Sequence, residues 1–334
     1  MAYENLNFDR QMKNHFSAPV PRELVHRRAI SEVFVTGINR TGSTTYTLSA
    51  QWPRWHVFFG SVTHGFDSAL VVETLRQLTV LIAHTGLHVP LGMQFLMPDM
   101  SISMTAGAVR DSSRPAEVTV EVHVSEIRAA GRGITAFRTK AIFLVNGQGI
   151  ADGTAGARIV DPEAYNRIRS RRSVADGYRL VPPLSPAEVG HGSSWNVVLG
   201  ESSETRHWPL RVDVSNPILF DHPLDHIPGV LLIEAVRQAV RVALQVPSLD
   251  FSAVEAQFVS IAEFSDEGEV VLESMASDGS AVVVLASIRS AGDVRMRAAA
   301  KFTARQGAAP ALPRRHHWKS TRTEHMGLRD NPHA

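Results

Sequence analysis

Cysteine is absent from this chain of 334 residues. Its absence excludes disulfide bonds, thiolate nucleophiles and every metal site that has a cysteine ligand, and it fits a reducing compartment such as the cytoplasm. A strong excess of either charge is also missing, because the formal net charge is +1. The chain as a whole therefore lacks the basic character that nucleic acid attracts, and we expect no nucleic-acid partner.

Long apolar runs are scarce as well. The longest, from residue 69 to residue 83, is interrupted by Glu73, Arg76 and Gln77. It is also too short to cross a hydrocarbon core of about 30 Å. Residues 1–21 contain polar residues and prolines where a signal peptide would have an apolar core. We therefore expect a soluble, cytoplasmic protein with no membrane partner.

What the sequence does contain is one order of predicted elements that occurs twice. In the first copy, strands at 30–36 and 44–50 precede a helix at about 66–85, and strands follow at 94–104, 117–127, 134–145 and 149–158. In the second copy, strands at 195–200 and 210–214 precede a helix at about 229–244, and strands follow at 254–263, 269–276, 281–288 and 294–304. A repeat of roughly 160 residues is too long for a solenoid unit, so each copy is predicted to be a domain.

Three segments lie outside the two predicted domains. They are an N-terminal extension at 1–23, an arginine- and proline-rich linker at 161–190 and a tail at 306–334. The tail has no hydrophobic period, and we expect it to be disordered. The first repeat is therefore predicted at 24–160 and the second at 191–305.

Both predicted helices carry the motif Glu-x-x-Arg-Gln. Its members are Glu73, Arg76 and Gln77 in the first helix and Glu234, Arg237 and Gln238 in the second. The spacing places all three side chains on one face of a helix that is otherwise mostly apolar. A solvent-facing stripe is the ordinary explanation of such a pattern. The wide apolar arc and the recurrence favour polar groups that face a cleft, where a carboxylate beside an arginine acts as a base or orients a substrate.

The loop before the second helix is rich in histidine, aspartate and proline. It runs from Asp221-His222-Pro223 through Asp225-His226 to Pro228-Gly229. The free amide groups after Pro228-Gly229 can hold a developing oxyanion. His222, Asp225 and His226 also resemble metal ligands, but such a site needs a further distant ligand, and we expect no metal. Two interpretations of these histidines stay open, in which they contact the substrate or only support the loop.

Several motifs in combination resemble the A-factor biosynthesis family, whose members make γ-butyrolactone, butenolide or furan signals and use the hotdog fold. These motifs are Val25-His26-Arg27, Gln51-Trp52-Pro53, Glu73-x-x-Arg76-Gln77, Gly92-x-Gln94-Phe95 and the loop at 221–229. The resemblance covers about residues 24–305. It implies an α+β double hotdog, in which each repeat has a curved antiparallel sheet wrapped around one long helix.

The resemblance also implies an activity that uses no cofactor. A β-ketoacyl chain passes from acyl carrier protein, or from acyl-CoA, to the hydroxyl of dihydroxyacetone phosphate, and the ester closes to a phosphorylated butenolide. The implied catalytic residues are Glu73, Glu234 and Arg237, and substrate contacts are expected at Arg76, Gln77, Gln238, His222, Asp225, His226 and Gly229. In this scheme Glu234 is the base, the helix start at Gly229 holds the oxyanion, and Arg237 binds the phosphate.

Other functions are compatible with the same fold. One alternative is a dehydratase or thioesterase that acts on acyl thioesters, and another is a non-catalytic receptor for a small acyl-derived signal. The chain is expected to act as a monomer or a homodimer.

Overall fold

A computed structural model describes residues 15–59, 66–108, 111, 113–131, 133–169, 180–264, 267–278 and 281–304. The predictions for the first 14 residues, for linker residues 170–179 and for the tail at 306–334 lie outside these ranges. None of the described helices is both long and apolar enough to span a membrane.

The strands of the described chain form one antiparallel sheet. They are β1 (Val35–Arg40), β2 (Thr45–Trp52), β3 (Gln94–Leu96), β4 (Asp99–Met104), β5 (Ala116–Ala130), β6 (Gly133–Val145), β7 (Gln148–Val160), β8 (His207–Pro209), β9 (Leu249–Phe258), β10 (Gly268–Asp278), β11 (Ala281–Ser290) and β12 (Asp293–Ala304). Their order is β1-β2-β5-β6-β7-β4-β9-β12-β11-β10-β8, and β3 pairs with β7. The repeats join where β4 pairs with β9, from Asp99 opposite Gln257 to Ser103 opposite Ala253. Both repeats therefore share one continuous sheet.

Two long helices lie against the inner face of this sheet. Helix α1 (Ser68–Leu81) continues into a π-helical turn at Ile82–Gly86, and helix α3 is Gly229–Leu244. Helix α1 packs against β1, β2, β4, β7 and β9, and α3 packs against β9 to β12. Every residue of α1 except Arg76 is buried. The predicted double hotdog, with one long wrapped helix in each repeat, is confirmed.

The two helices begin differently. The side chain of Asp67 accepts a hydrogen bond from the amide of Ala69 and so caps α1. Helix α3 follows Pro228, which supplies no side-chain cap. Gly229 is required at this start by packing, because a Cβ there would lie 2.9 Å from the ring of Phe258. The amide groups at the start of α3 are therefore not satisfied by a capping side chain.

The structure corrects several local predictions. The strand predicted at 30–36 begins only at Val35, after a 3-10 turn at Ile30–Glu32. The strand predicted at 94–104 is split into β3 and β4 around Pro98, whose carbonyl accepts the amide of Phe258 at 2.8 Å. The strands predicted at 195–200 and 210–214 are wrong, because a 3-10 turn at Ser194–Asn196 and the short β8 replace them. Only one isolated bridge, between Leu199 and Leu210, joins these two segments within the described chain.

The predicted linker contains a short helix, α2 (Pro162–Arg169). Arg169 forms ion pairs with Asp225 at 2.8 Å and with Glu263 at 2.6 Å. The hydroxyl of Tyr165, a buried residue, donates to the Asp225 carboxylate at 3.0 Å. A short polar helix has little intrinsic stability, so these tertiary contacts explain an element that local periodicity did not reveal.

Candidate active site

A turn of the same geometry opens each repeat and directs a basic side chain at the glutamate of the long helix. The turns are Val25-His26-Arg27 and Val189-Gly190-His191. His26 and Gly190 are both left-handed, with φ of 51° and 75°. In each turn the last residue donates its amide to a carbonyl five positions earlier, at 2.9 Å in the first and 2.8 Å in the second. Arg27 and His191 therefore occupy equivalent positions.

We call Glu73, Arg27, Arg76, His26 and His222 the Glu73 cluster. Glu73 is fully buried and accepts hydrogen bonds from Arg76 Nε at 3.0 Å and Arg76 Nη2 at 2.8 Å. Arg27 Nη2 lies 2.6 Å from the same carboxylate. Burial alone would raise the pKa of Glu73, but the two arginines hold it at about 2. Glu73 is therefore ionised and anchors both guanidinium groups.

The loop that precedes α3 reaches into the Glu73 cluster of the other repeat. Asp221 accepts the backbone amides of Arg28 at 2.6 Å and Ala29 at 2.8 Å. Arg27 Nη1 donates to the carbonyl of Ile218 at 3.1 Å. These contacts fix the loop against the first repeat, although residues 218–221 lie more than 190 positions away from it in sequence.

His222 lies beside the arginines of this cluster. Its Nδ1 is 3.4 Å from Asp221 Oδ2. Burial lowers the pKa of His222; Asp221 opposes this effect, whereas Arg27 and Arg76 add to it. His26 faces the same groups, and burial together with His84, Arg76 and His222 lowers the pKa of His26 to about 3. The cluster therefore holds neutral imidazoles next to two permanent cations.

We call Glu234, His191, Arg237, Asp67 and Asp250 the Glu234 cluster. Glu234 Oε1 lies 2.9 Å from His191 Nε2, and Oε2 accepts from Arg237 Nε at 2.7 Å. Burial disfavours its charged form, but Arg237 and His191 lower the pKa of Glu234 to about 2. A carboxylate with so low a pKa is a weak proton acceptor at neutral pH, unlike the base that the sequence predicted.

Arg237 connects the two repeats. Its Nη1 donates to Asp67 at 2.7 Å and to Asp250 at 3.1 Å. Asp250 also accepts from the backbone and hydroxyl of Ser68, at 3.2 and 2.6 Å, so two carboxylates close the start of α1. With Glu234, three carboxylates contact this one guanidinium, and its side chain is 1% exposed. These contacts already compensate the charge of Arg237, and its phosphate role stays a prediction.

Arg76 has a different environment at the equivalent position of α1. Its side chain is 19% exposed, and its ion pair in the described chain is with Glu73. Its Nη2 also donates to the carbonyl of Val25 at 3.3 Å. In the second repeat Arg241, one turn further along α3, donates to the matching carbonyl of Val189 at 2.9 Å. In the first repeat Arg76 contacts both the glutamate and the carbonyl of the turn. In the second repeat Arg237 contacts the glutamate and Arg241 contacts the carbonyl.

The two glutamines of the motif are structural. Gln77 Nε2 donates to Glu73 and to the carbonyl of Glu32, both at 2.7 Å. Gln238 Nε2 donates to Glu234 at 2.9 Å and to the carbonyl of Asn196 at 2.7 Å. Both side chains are fully buried, and both hydrogens of each amide group are used. Gln77 and Gln238 therefore support the two glutamates, and the substrate contacts predicted for them stay predictions.

Asp225 contacts helix α2, and His226 contacts Asp225. Asp225 accepts from Tyr165 and Arg169, and His226 Nδ1 lies 2.7 Å from Asp225 Oδ1. These contacts hold the loop before α3 in place, and the predicted substrate role of both residues stays a prediction. Gly229, by contrast, lies at the uncapped helix start, as the oxyanion prediction requires.

A cavity of about 310 Å³ lies beside the Glu234 cluster. Its wall includes Trp55 and Phe58 from the first repeat and the segment 190–193 from the second. The ring centroids of Phe58 and His191 are 5.4 Å apart. Residues 60–65, which precede α1, lie outside the described ranges.

Sequence reasoning missed several members of these clusters. Local patterns do not indicate a role for His191, Asp67 or Asp250, and they place Arg27 only within the motif Val25-His26-Arg27. The signal for His191 was available, because Val189-Gly190-His191 lies ahead of the second long helix as Val25-His26-Arg27 lies ahead of the first. No group of three or more His, Asp or Glu side chains in the described ranges is arranged to hold a metal ion.

Comparison with known proteins adds four findings. The model of the A-factor biosynthesis hotdog domain matches residues 8–161 and 176–311. A 2-oxo-3-(phosphooxy)propyl 3-oxoalkanoate synthase from Streptomyces virginiae is 42% identical over 226 residues, which are 67% of this chain and 77% of the relative. A synthase of the same name from Streptomyces coelicolor is 36% identical over 251 residues, 74% of this chain and 79% of the relative. A solved 12:0-ACP thioesterase from Umbellularia californica covers 80% of this chain and 99% of its own, at 10% identity and a TM-score of 0.47.

Proposed function

We propose, since this chain belongs to the A-factor biosynthesis hotdog family, that it is a synthase joining a 3-oxoacyl chain to the hydroxyl of dihydroxyacetone phosphate. The observation that carries this proposal is the 42% identity to a 2-oxo-3-(phosphooxy)propyl 3-oxoalkanoate synthase over two thirds of the chain. The product of that relative, by its name, is an ester of a 3-oxoalkanoate with a phosphorylated three-carbon ketone. Such an ester is the precursor of a phosphorylated butenolide.

The acyl donor is proposed to be a β-ketoacyl thioester on acyl carrier protein, with acyl-CoA as the other possible carrier. A thioester is activated for transfer to an alcohol without a covalent enzyme intermediate. The chain contains no cysteine, so no thiol nucleophile is available for such an intermediate. Direct attack by the acceptor hydroxyl is the simplest course of the reaction.

We place the reaction in the Glu73 cluster, with His222 as the general base. Its Nδ1 is directed at Asp221, which leaves Nε2 for a substrate hydroxyl. Burial and the nearby arginines lower the pKa of His222, so the ring is neutral and able to accept a proton at pH 7. His222 takes the hydroxyl proton as the oxygen attacks the thioester carbonyl. It returns that proton to the thiolate when the carbon–sulfur bond breaks.

The start of α3 is the proposed oxyanion hole. Asp67 and Pro228 occupy equivalent positions before α1 and α3. Because Arg237 contacts Asp67, the repeat relationship predicts that Arg76 faces the start of α3. There is no capping side chain at Pro228, so the first amides of α3 can donate to the carbonyl oxygen. The same groups at the start of α1 are occupied by carboxylates.

The remaining motif residues act indirectly in this proposal. Glu73 holds Arg27 and Arg76 in place, and Glu234 with Arg237 holds the two repeats together. Glu234 was predicted to be the base, but three neighbouring groups satisfy its carboxylate and keep it ionised. We therefore assign the base role to His222.

The test is incubation of the purified chain with a β-ketoacyl carrier protein and dihydroxyacetone phosphate, followed by mass spectrometry. The proposal expects the phosphorylated ester, or the butenolide that forms from it, only when both substrates are present. Release of free 3-oxo acid at the same rate without the acceptor would identify a thioesterase instead. Tight binding of a butyrolactone without any turnover would identify a receptor.

A further inference from the structure

We infer that Arg76, supported by Arg27, binds the phosphoryl group of the acceptor and makes the site selective for phosphorylated acceptors. The acceptor named here rests on the proposed function, whereas the anion site itself rests on the geometry of the Glu73 cluster. Nothing in the family match or in the names of the relatives assigns this contact to a residue.

The first observation is the difference between two equivalent arginines. Arg237 contacts Glu234, Asp67 and Asp250, all within 3.1 Å, and is 1% exposed. Arg76 contacts Glu73, and it shares that one carboxylate with Arg27. One cluster therefore has three carboxylates around one arginine, and the other has two arginines around one carboxylate.

The second observation concerns the other acids near the Glu73 cluster. Asp221 and Glu32 also attract Arg27. The two oxygens of Asp221 accept the amides of Arg28 and Ala29, and one oxygen of Glu32 lies 3.3 Å from His56 Nε2. Neither acid forms an ion pair with Arg76 in the described chain. The positive charge of Arg76 is therefore less compensated than that of Arg237, its counterpart on α3.

The third observation is that Arg76 has room and a free donor. Its Nε and Nη2 are bonded to Glu73 and to the carbonyl of Val25, and its Nη1 has no hydrogen-bond partner among the described residues. With 19% of the side chain exposed, this nitrogen can reach a ligand. Arginine suits a phosphoryl group because its planar fork forms parallel hydrogen bonds to two oxygens.

The position of His222 fits the same ligand. Dihydroxyacetone phosphate carries its hydroxyl and its phosphoryl group on the two ends of a three-carbon chain. A base for the hydroxyl and a cation for the phosphoryl group must therefore lie in one cluster. Burial lowers the pKa of His222, and Arg27 and Arg76 lower it further, as expected if the base and the cations belong to one cluster. The Glu234 cluster offers an imidazole as well, but its arginine is already surrounded by acids.

Binding is measured by titration calorimetry with inorganic phosphate, dihydroxyacetone phosphate and unphosphorylated dihydroxyacetone. Arg76→Gln is expected to weaken binding of both phosphorylated ligands by about tenfold or more, since a hydrogen bond to a charged group contributes on this scale. Arg76→Lys keeps the charge without the fork and should recover part of the affinity. Arg289→Gln is the matched control, because Arg289 is a half-exposed arginine on β11 paired with Glu273. Its binding should equal that of the unchanged protein.

Proton NMR of the histidines supplies a second readout. A bound phosphate dianion should raise the pKa of His222 and His26, because it opposes the repulsion from Arg76. A rise for His191 alone would overturn the inference by locating the anion in the Glu234 cluster. A melting curve checks that Arg76→Gln is folded, and if it is not, Arg76→Lys alone decides the result.

Two sources of the phosphoryl group are then separated by competition. Displacement of inorganic phosphate by dihydroxyacetone phosphate supports the acceptor. Displacement by the phosphopantetheine-bearing carrier protein, but not by the acceptor, would overturn the assignment. Unchanged phosphate affinity in Arg76→Gln would overturn it as well. Phosphate binding at Arg76 without acyl transfer would contradict the proposed function but support this inference.

Discussion

Arg237 on α3 and Asp67 at the start of α1 form a buried ion pair of 2.7 Å that joins the two repeats. Arg76, the counterpart of Arg237, has no equivalent acidic partner at the start of α3. Pro228 occupies there the position that Asp67 occupies before α1. A duplicated architecture thus contains one helix start that carboxylates close and one that they leave open. We attribute the structural role to the first and the chemistry to the second.

Removal of Arg237 should destabilise the fold strongly. Arg237→Ala leaves Glu234, Asp67 and Asp250 buried without their cation, and breaking such a network costs about 3–5 kcal/mol. Arg76→Ala should cost clearly less, since Arg27 still pairs with Glu73 at 2.6 Å. Urea unfolding of both variants measures the difference. Equal losses would show that the two arginines have the same structural role.

Acid should weaken the fold through His26. The pKa of His26 is about 3 in the folded chain, against an ordinary value of 6.5. The unfolded chain therefore binds a proton that the folded chain does not, and stability present above pH 6.5 is lost as the pH falls toward 3. His26→Asn removes this group and tolerates the left-handed backbone. The slope of unfolding free energy against pH should become smaller between pH 6.5 and 4.5, above the range in which Glu73 titrates. An unchanged slope in this pH range would contradict the lowered pKa of His26.

The linker helix α2 should control the loop that carries His222. Arg169 bonds Asp225 and Glu263, whereas Arg167 on the same helix is 72% exposed and lies 3.9 Å from Glu163. Arg169→Ala is therefore expected to accelerate amide hydrogen exchange at 221–229 and to lower turnover. Arg167→Ala is the control and should change neither. Protection of the loop that survives Arg169→Ala would show that other contacts hold it.

Local patterns predicted the long helices and the family well. The bounds of α3 follow from an apolar run that begins after Pro228, and the Glu-x-x-Arg-Gln motif marks the polar face of both helices. The double hotdog fold and the A-factor biosynthesis family are confirmed. The strands predicted at 195–200 and 210–214 were wrong, because contacts with distant segments decide the structure there.

Local sequence patterns could not predict which residues form each cluster. His222 lies twelve residues before Glu234 in sequence, and sequence reasoning joined them in one site. In the fold, the loop with His222 contacts the first repeat, and Glu234 contacts His191. Arg237 and Asp67 are 170 positions apart, so no spacing rule relates them. The contact between the loop before α3 and the first repeat depends on how the repeats pack, and the spacing of residues along one helix does not reveal it.

The central claim is that acyl transfer takes place in the Glu73 cluster with His222 as base. The direct test is the rate of ester formation, measured by mass spectrometry, for His222→Gln and His191→Gln beside the unchanged chain. Loss of a general base typically costs 10²- to 10⁴-fold, so His222→Gln should fall by about that factor while His191→Gln stays within a few-fold of the unchanged rate. Melting temperatures of both variants confirm that they are folded. A nearly inactive His191→Gln with an active His222→Gln would contradict the account and place the reaction at Glu234.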